Sequence, residues 1–183
     1  MPKFLAIAAV TLDGKIAKHS RHMSNWTSKE DKLFMRSVLD KCDVVIVGNN
    51  TYKTAIKPLS KRNCIVLSKR VSQSANQLVS KNLLYCNPRK ANLKKLITKL
   101  KYKKIAILGG AQTYTYCLKN KMLDELYLTI EPLVFGKGIN LFASPSSSEG
   151  RVGERLPDNK FQLLSVKKLN NNGSLLLHYK IKK

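Results

Sequence analysis

The chain predicts an α/β fold, a mostly parallel central sheet of about eight strands with flanking helices and a C-terminal antiparallel hairpin. Three observations lead there. Short apolar runs rich in β-branched residues recur along the sequence, helical patterns lie between them, and the last two runs flank a turn-forming cluster.

The runs are residues 4–10, 44–47, Cys64–Leu67, Leu83–Cys86, 105–108 and 126–134, short enough and apolar enough to read as buried strands. The helical patterns are 30–41, with Leu33, Phe34, Val38 and Leu39 on one side, then 91–100 and Ala111–Lys119. Near the C-terminus, runs 161–169 and 174–181 flank Asn170, Asn171, Asn172 and Gly173, whose tolerance of positive φ suits a hairpin turn. The stretch 144–160, rich in Pro, Ser and Gly, reads as an exposed loop within the domain.

With 183 residues and 43% hydrophobic content, one core and a single domain over 1–183 are expected. No apolar run approaches the roughly 20 residues needed to span a bilayer, so no membrane association is expected. Cys42, Cys64, Cys86 and Cys117 are far apart and form no paired motif, which points to reduced thiols and a cytoplasmic protein. His19, His22 and His178 have no cysteine or acid at ligand spacing, so no metal is expected.

The net charge of +23 raises nucleic acid as a partner. Lysine outnumbers arginine, aromatics are only 7%, and the cations are spread along the chain, which argues against a sequence-specific reader and for weak, salt-sensitive polyanion binding. The same field favours an anionic cofactor.

Candidate binding residues follow from the strand ends. Leu108, Gly109 and Gly110 close a strand and open a helix, where glycine admits a close backbone approach and a helix N-terminus attracts negative charge. Gly48 follows another strand and precedes Asn49, Asn50 and Thr51. A third strand ends in Ser68, Lys69 and Arg70, a hydroxyl and two cations suited to an extra phosphate. The full dinucleotide-binding glycine fingerprint is absent, which disfavours an ordinary Rossmann dehydrogenase. Among the few acids, Asp31 begins a helix and precedes Phe34 and Met35, a position from which a carboxylate can face a cavity and hold a polar heterocycle.

Taken in order and spacing, these blocks resemble dihydrofolate reductase over most of the chain. Ala8, Ala9 and residues 13–17, including Ile16, resemble its first strand and following loop, and Met23 and Trp26 resemble the loop that closes over nicotinamide. Gly48 to Tyr52 resembles its first cofactor block, and Leu108, Gly109, Gly110, Ala111, Gln112, Thr113 and Tyr114 resemble the second. The resemblance implies NADPH as cofactor and 7,8-dihydrofolate as substrate. It makes Asp31, Trp26 and Thr129 catalytic, with Thr129 bonding the acid, while Ile7, Met35, Leu59 and Arg62 contact substrate and Arg62 grips the folate carboxylate. Leu33 is expected to share the apolar wall, and a monomer or homodimer is expected.

Two segments, residues 12–17 and 132–142 with Phe135, Gly136, Lys137 and Gly138, look more like the related reductase domain of riboflavin biosynthesis. That relative implies the alternative of an NADPH-dependent reductase acting on a ribosylaminopyrimidine 5′-phosphate. A second alternative is a catalytically silent basic RNA-binding protein on the same fold. Asn49 and Asn50 stand where many folate reductases have a basic pair, which leaves the 2′-phosphate of NADPH to Ser68, Lys69 and Arg70.

Overall fold

The central strands alternate faces residue by residue, and that alternation builds the layers. In β3 (Val44–Gly48), Val44 and Ile46 enter one apolar cluster while Val45 and Val47 enter another. The same split occurs in β4 (Cys64–Leu67) and β7 (Lys104–Ile107), so the sheet has a core on each face. The computed structural model describes residues 1–71, 76–143 and 158–182; most of the expected 144–160 loop lies outside them.

The other elements are β1 (Lys3–Thr11), β2 (Lys15–Ala17), α1 (Lys29–Leu39), α2 (Asn49–Thr54), α3 (Ile56–Leu59), β5 (Asn76–Ser80), β6 (Leu83–Cys86), α4 (Leu93–Lys99), α5 (Ala111–Lys119), β8 (Glu125–Glu131), β9 (Ile139–Asn140), β10 (Lys160–Lys168) and β11 (Leu175–Lys182). Nine strands form one sheet in the order β10-β11-β8-β1-β7-β3-β4-β6-β5, and β2 and β9 form a small second sheet. Pairing is parallel from β8 through β6 and antiparallel at both edges. Helices α4 and α5 supply Leu93, Ile97, Cys117 and Leu118 to one core, while Leu39 and Leu59 from α1 and α3 enter the other. All four cysteines are free.

Four departures from expectation have physical causes. The strand expected over 126–134 ends at Glu131, because Pro132 has no N–H to continue the ladder. The edge strand β5 was not foreseen; Asn76–Ser80 is largely exposed and has no apolar alternation. Nor were β2 and β9, at three and two residues, long enough to show a period. On α1, Leu33 is 52% exposed while Met35, Val38 and Leu39 pack on the sheet. Asp31 and Met35 are one turn apart and share a face that Leu33 does not, so Leu33 does not join the apolar wall expected beside Asp31.

Candidate active site

Because β1, β3, β4, β7 and β8 run parallel, their carboxyl ends lie along one edge of the sheet, where open α/β sheets bind ligands. All the loops that carry the candidate residues for the cofactor emerge there.

The two glycine turns pack against each other. Gly48 N–H donates to the Gly109 carbonyl (2.7 Å), and Leu108 N–H donates to the Ile46 carbonyl (3.0 Å). A Cβ on Gly48 would come within 2.8 Å of Thr113 Oγ1, and one on Gly109 within 2.4 Å of the Tyr114 ring. Gly109 also has φ +82, a conformation that disfavours side chains, and the Gly109–Gly110 peptide is cis. Glycine at these positions is therefore demanded first by close packing against the α5 side chains Thr113 and Tyr114. The Gly48 N–H is engaged, and Thr113 and Tyr114 N–H donate to the Gly110 carbonyl; the donors of α5 left without an intrahelical acceptor are those of Ala111 and Gln112.

Thr113 and Tyr114 are buried, and the Tyr114 hydroxyl donates to the Ile7 carbonyl (2.5 Å). Tyr114 thus shapes the turn and ties α5 to β1. Thr51 and Gly110 face each other across the turns, with Thr51 Oγ1 3.4 Å from the position of a Gly110 Cβ. Asn49 is half-buried, and Asn50 and Gln112 are exposed. Gly48 pairs with Leu67 in the β3–β4 ladder, so Ser68, Lys69 and Arg70 open directly beside the first glycine turn. Arg70 N–H donates to Ser68 Oγ (3.3 Å), and Asn87 Nδ2 donates to the Lys69 and Val71 carbonyls, which holds the loop in place.

Asp31 is 6% exposed at the start of α1, whose N-cap Ser28 accepts the Asp31 N–H (3.2 Å). Burial pushes its carboxyl above the ordinary aspartate range, against hydrogen bonds from Thr129 and Thr27 that pull it down, and the nearby Glu131 raises it further. Thr129 and Thr27 are themselves buried. Glu131, which sequence reasoning missed, is 3% exposed; it accepts the Ser28 N–H (2.7 Å) and a short hydrogen bond from the Ser174 hydroxyl. Its only sequence signal was an acid closing an apolar strand two residues beyond Thr129.

Trp26 sits half-buried on a short 3-10 turn before α1 and packs edge-on against Phe135 at 5.1 Å between ring centroids. Asp13 joins the loops after β1 and β8, accepting from Thr11 Oγ1 (2.5 Å), Phe135 N (3.2 Å) and Gly136 N (2.9 Å). Ala9 lies on β1 opposite Thr129, and Ile16 lies on β2. Ile7 and Leu59 are buried, and Met35 packs against the same cluster. Arg62 precedes β4 at its amino end and is ion-paired to Asp40 at the exit of α1 (2.5 Å). A cavity of about 330 Å³ between α4 and α5 is lined by other residues, including Arg89, Lys94, Tyr116 and Asn120.

Comparison with known proteins refines this site. Residues 2–173 match the RibD C-terminal domain family. The chain is 27% identical over 148 residues to the protein YwjB of Bacillus subtilis, covering 76% of this chain and 82% of that one. It is 25% identical over 206 residues to the riboflavin biosynthesis protein RibD of Aquifex aeolicus, covering 94% of this chain and 56% of RibD, so it spans little more than half of that relative. A pyrimidine reductase-like protein of Corynebacterium diphtheriae superposes with a TM-score of 0.76 over all of this chain and 92% of the other, at 18% identity. Dihydrofolate reductase from Enterococcus faecalis, complexed with NADP(H), superposes with a TM-score of 0.64 over 99% and 97%, also at 18% identity, which shows a shared fold.

These findings correct the expectation of dihydrofolate as substrate: the family match and the RibD likeness favour the alternative drawn from residues 12–17 and 132–142. The folate-gripping role of Arg62 falls with it, and its guanidinium is held by Asp40. The fold is that of dihydrofolate reductase, and the chain belongs to the RibD C-terminal domain family.

Proposed function

We propose that the protein is an NADPH-dependent reductase of a ribosylaminopyrimidine 5′-phosphate. The observation that carries the chemistry is the buried Asp31 carboxyl, braced by Thr129 and Thr27 at the sheet edge where the glycine turns and the Ser68 loop also open.

The residues present fit an anionic dinucleotide. The Ala111 and Gln112 N–H groups that open α5 have no intrahelical acceptor, and Ser68, Lys69 and Arg70 supply a hydroxyl and two cations for a further phosphate. NADPH, when bound, supplies the hydride. Reduction of the open-chain imine of a ribosylamine places that hydride on the imine carbon and needs a proton on the nitrogen. Asp31 holds its proton more tightly than an exposed aspartate and is oriented by two hydroxyls, so it can deliver that proton to the nitrogen. Met35, one turn further along α1 and packed on the apolar cluster that holds Ile7 and Leu59, gives the face of the helix that carries Asp31 an apolar continuation. Trp26 and Phe135 pack together where the segment before α1 meets the loop after β8.

The test is NADPH oxidation by the purified protein with the ribosylaminopyrimidine phosphate and, separately, with dihydrofolate. Turnover of the pyrimidine phosphate alone is expected. Saturable NADPH binding without oxidation by that substrate would overturn the assignment.

A further inference from the structure

From Val44 through Leu123 the chain contains no aspartate or glutamate, although this stretch carries seventeen of the 34 lysines and arginines. All eleven acids lie outside it. The fold turns this run into a region of space. The acid-free segment supplies β7, β3, β4, β6 and β5, five adjacent strands at one side of the sheet, with α2 to α5. The remaining strands, β10, β11, β8 and β1, and helix α1 come from the portions that hold the carboxylates.

The boundary acids do little to soften this division. Asp43 accepts the backbone N–H groups of Lys103 and Lys104, Asp40 is held by Arg62, and Asp124 accepts Phe4 N–H. Asp43 directly precedes β3, at the opposite end of that strand from Gly48. At the carboxyl end, the Gly48 turn, the Ser68 loop and the Gly109–Gly110 turn all belong to the acid-free half, whereas Asp31, Thr129 and Glu131 belong to the other.

We propose that the acid-free half is an electrostatic funnel that captures the cofactor by its diphosphate and 2′-phosphate before any contact forms. Cofactor selectivity then comes in part from lysines that never touch it. Lys53 on α2, Lys57 on α3 and Lys94 on α4 are exposed members of this field outside the glycine turns and the Ser68 loop. A one-signed surface of this kind raises association rates by about 10- to 1,000-fold and loses that advantage as the Debye length shrinks with salt. The proposal rests on the NADPH reading above.

Trp26, the only tryptophan, lies on the turn before α1, five residues from Asp31, and serves as the stopped-flow fluorescence probe of NADPH binding. At low ionic strength the triple variant K53E/K57E/K94E is expected to bind NADPH about tenfold more slowly, with a dissociation rate changed less than about twofold, and the difference should vanish near 0.5 M salt. A matched triple, K160E/K167E/K182E on the hairpin, makes the same change in net charge in the other half and should slow binding far less. Equal slowing by both triples would show that net charge alone acts and would overturn the proposal, as would an association rate indifferent to salt. Circular dichroism of both triples checks that each is folded. Absence of saturable NADPH binding at any salt would overturn the cofactor reading and this inference together.

Discussion

Asp31 and Glu131 are both buried carboxylates at the same edge of the sheet, and they are built for different work. Each oxygen of Glu131 has a fixed donor, the Ser28 N–H and the Ser174 hydroxyl, so the group ties the start of α1 and the C-terminal hairpin to the end of β8. Asp31 is met by two threonine hydroxyls, and burial dominates its chemistry. Glu131 thus holds elements together, whereas Asp31, whose burial outweighs its hydrogen bonds, is the group to which the proposed reaction gives the proton transfer.

The largest effect expected from this contrast is on Asp31→Asn. Turnover should fall at least about a hundredfold, about 2.7 kcal/mol in barrier, with NADPH binding and thermal stability preserved. Near-normal turnover would reduce Asp31 to a helix-start charge. Glu131→Ala should show the converse: a stability loss of about 1.5 to 3 kcal/mol in denaturant unfolding, because the buried Ser174 hydroxyl and the half-buried Ser28 N–H lose their charged acceptor. If Glu131→Ala instead abolished turnover in a stable protein, the division of labour would be wrong.

A smaller effect tests the cofactor side. Lys69→Ala or Arg70→Ala should weaken NADPH about tenfold, about 1.4 kcal/mol, and leave NADH nearly unchanged, since only NADPH carries the 2′-phosphate. Equal losses for both cofactors, measured by equilibrium titration, would remove the Ser68 loop from phosphate recognition.

The smallest effect is on pH dependence. The folded-state pKa of Asp31 lies above its unfolded value, so the native state binds more protons between the two. The stability contribution of this group is therefore fully present at low pH and lost as pH rises through that interval, and Asp31→Asn should flatten that part of the stability profile. Turnover of the parent protein should fall as pH rises through the same raised pKa. A rising limb there would assign Asp31 as a base.

Much of the site was legible before the fold was known. Gly48, Gly109 and Gly110 stood out because glycines between an apolar run and a helical pattern mark strand-to-helix turns. Asp31 stood out as one of few acids beside an apolar helix face, and residues 12–17 and 132–142 carried the likeness to the riboflavin reductase domain. The expectation for Arg62 fell with the dihydrofolate reading that the family match overturned, and its ion pair with Asp40, twenty-two residues away, leaves no local mark in the sequence. Glu131 was missed because its donors come from residues 28 and 174, which no local pattern links.

Local physics thus determined what local sequence can encode. Short continuous apolar runs set the central strands and their two-sided burial, the Asn-Gly cluster set the hairpin, and the charge pattern excluded carboxylates from a continuous stretch. Only the tertiary structure decided which strand ends became neighbours. Parallel pairing brought Gly48 beside Gly109 and turned an acid-free run of sequence into one side of a molecule, and the packing of α1 on the sheet brought Asp31 to Thr129. Those contacts depend on crossovers between segments tens of residues apart, where hydrogen bonding and burial act through space and leave no periodic trace along the chain.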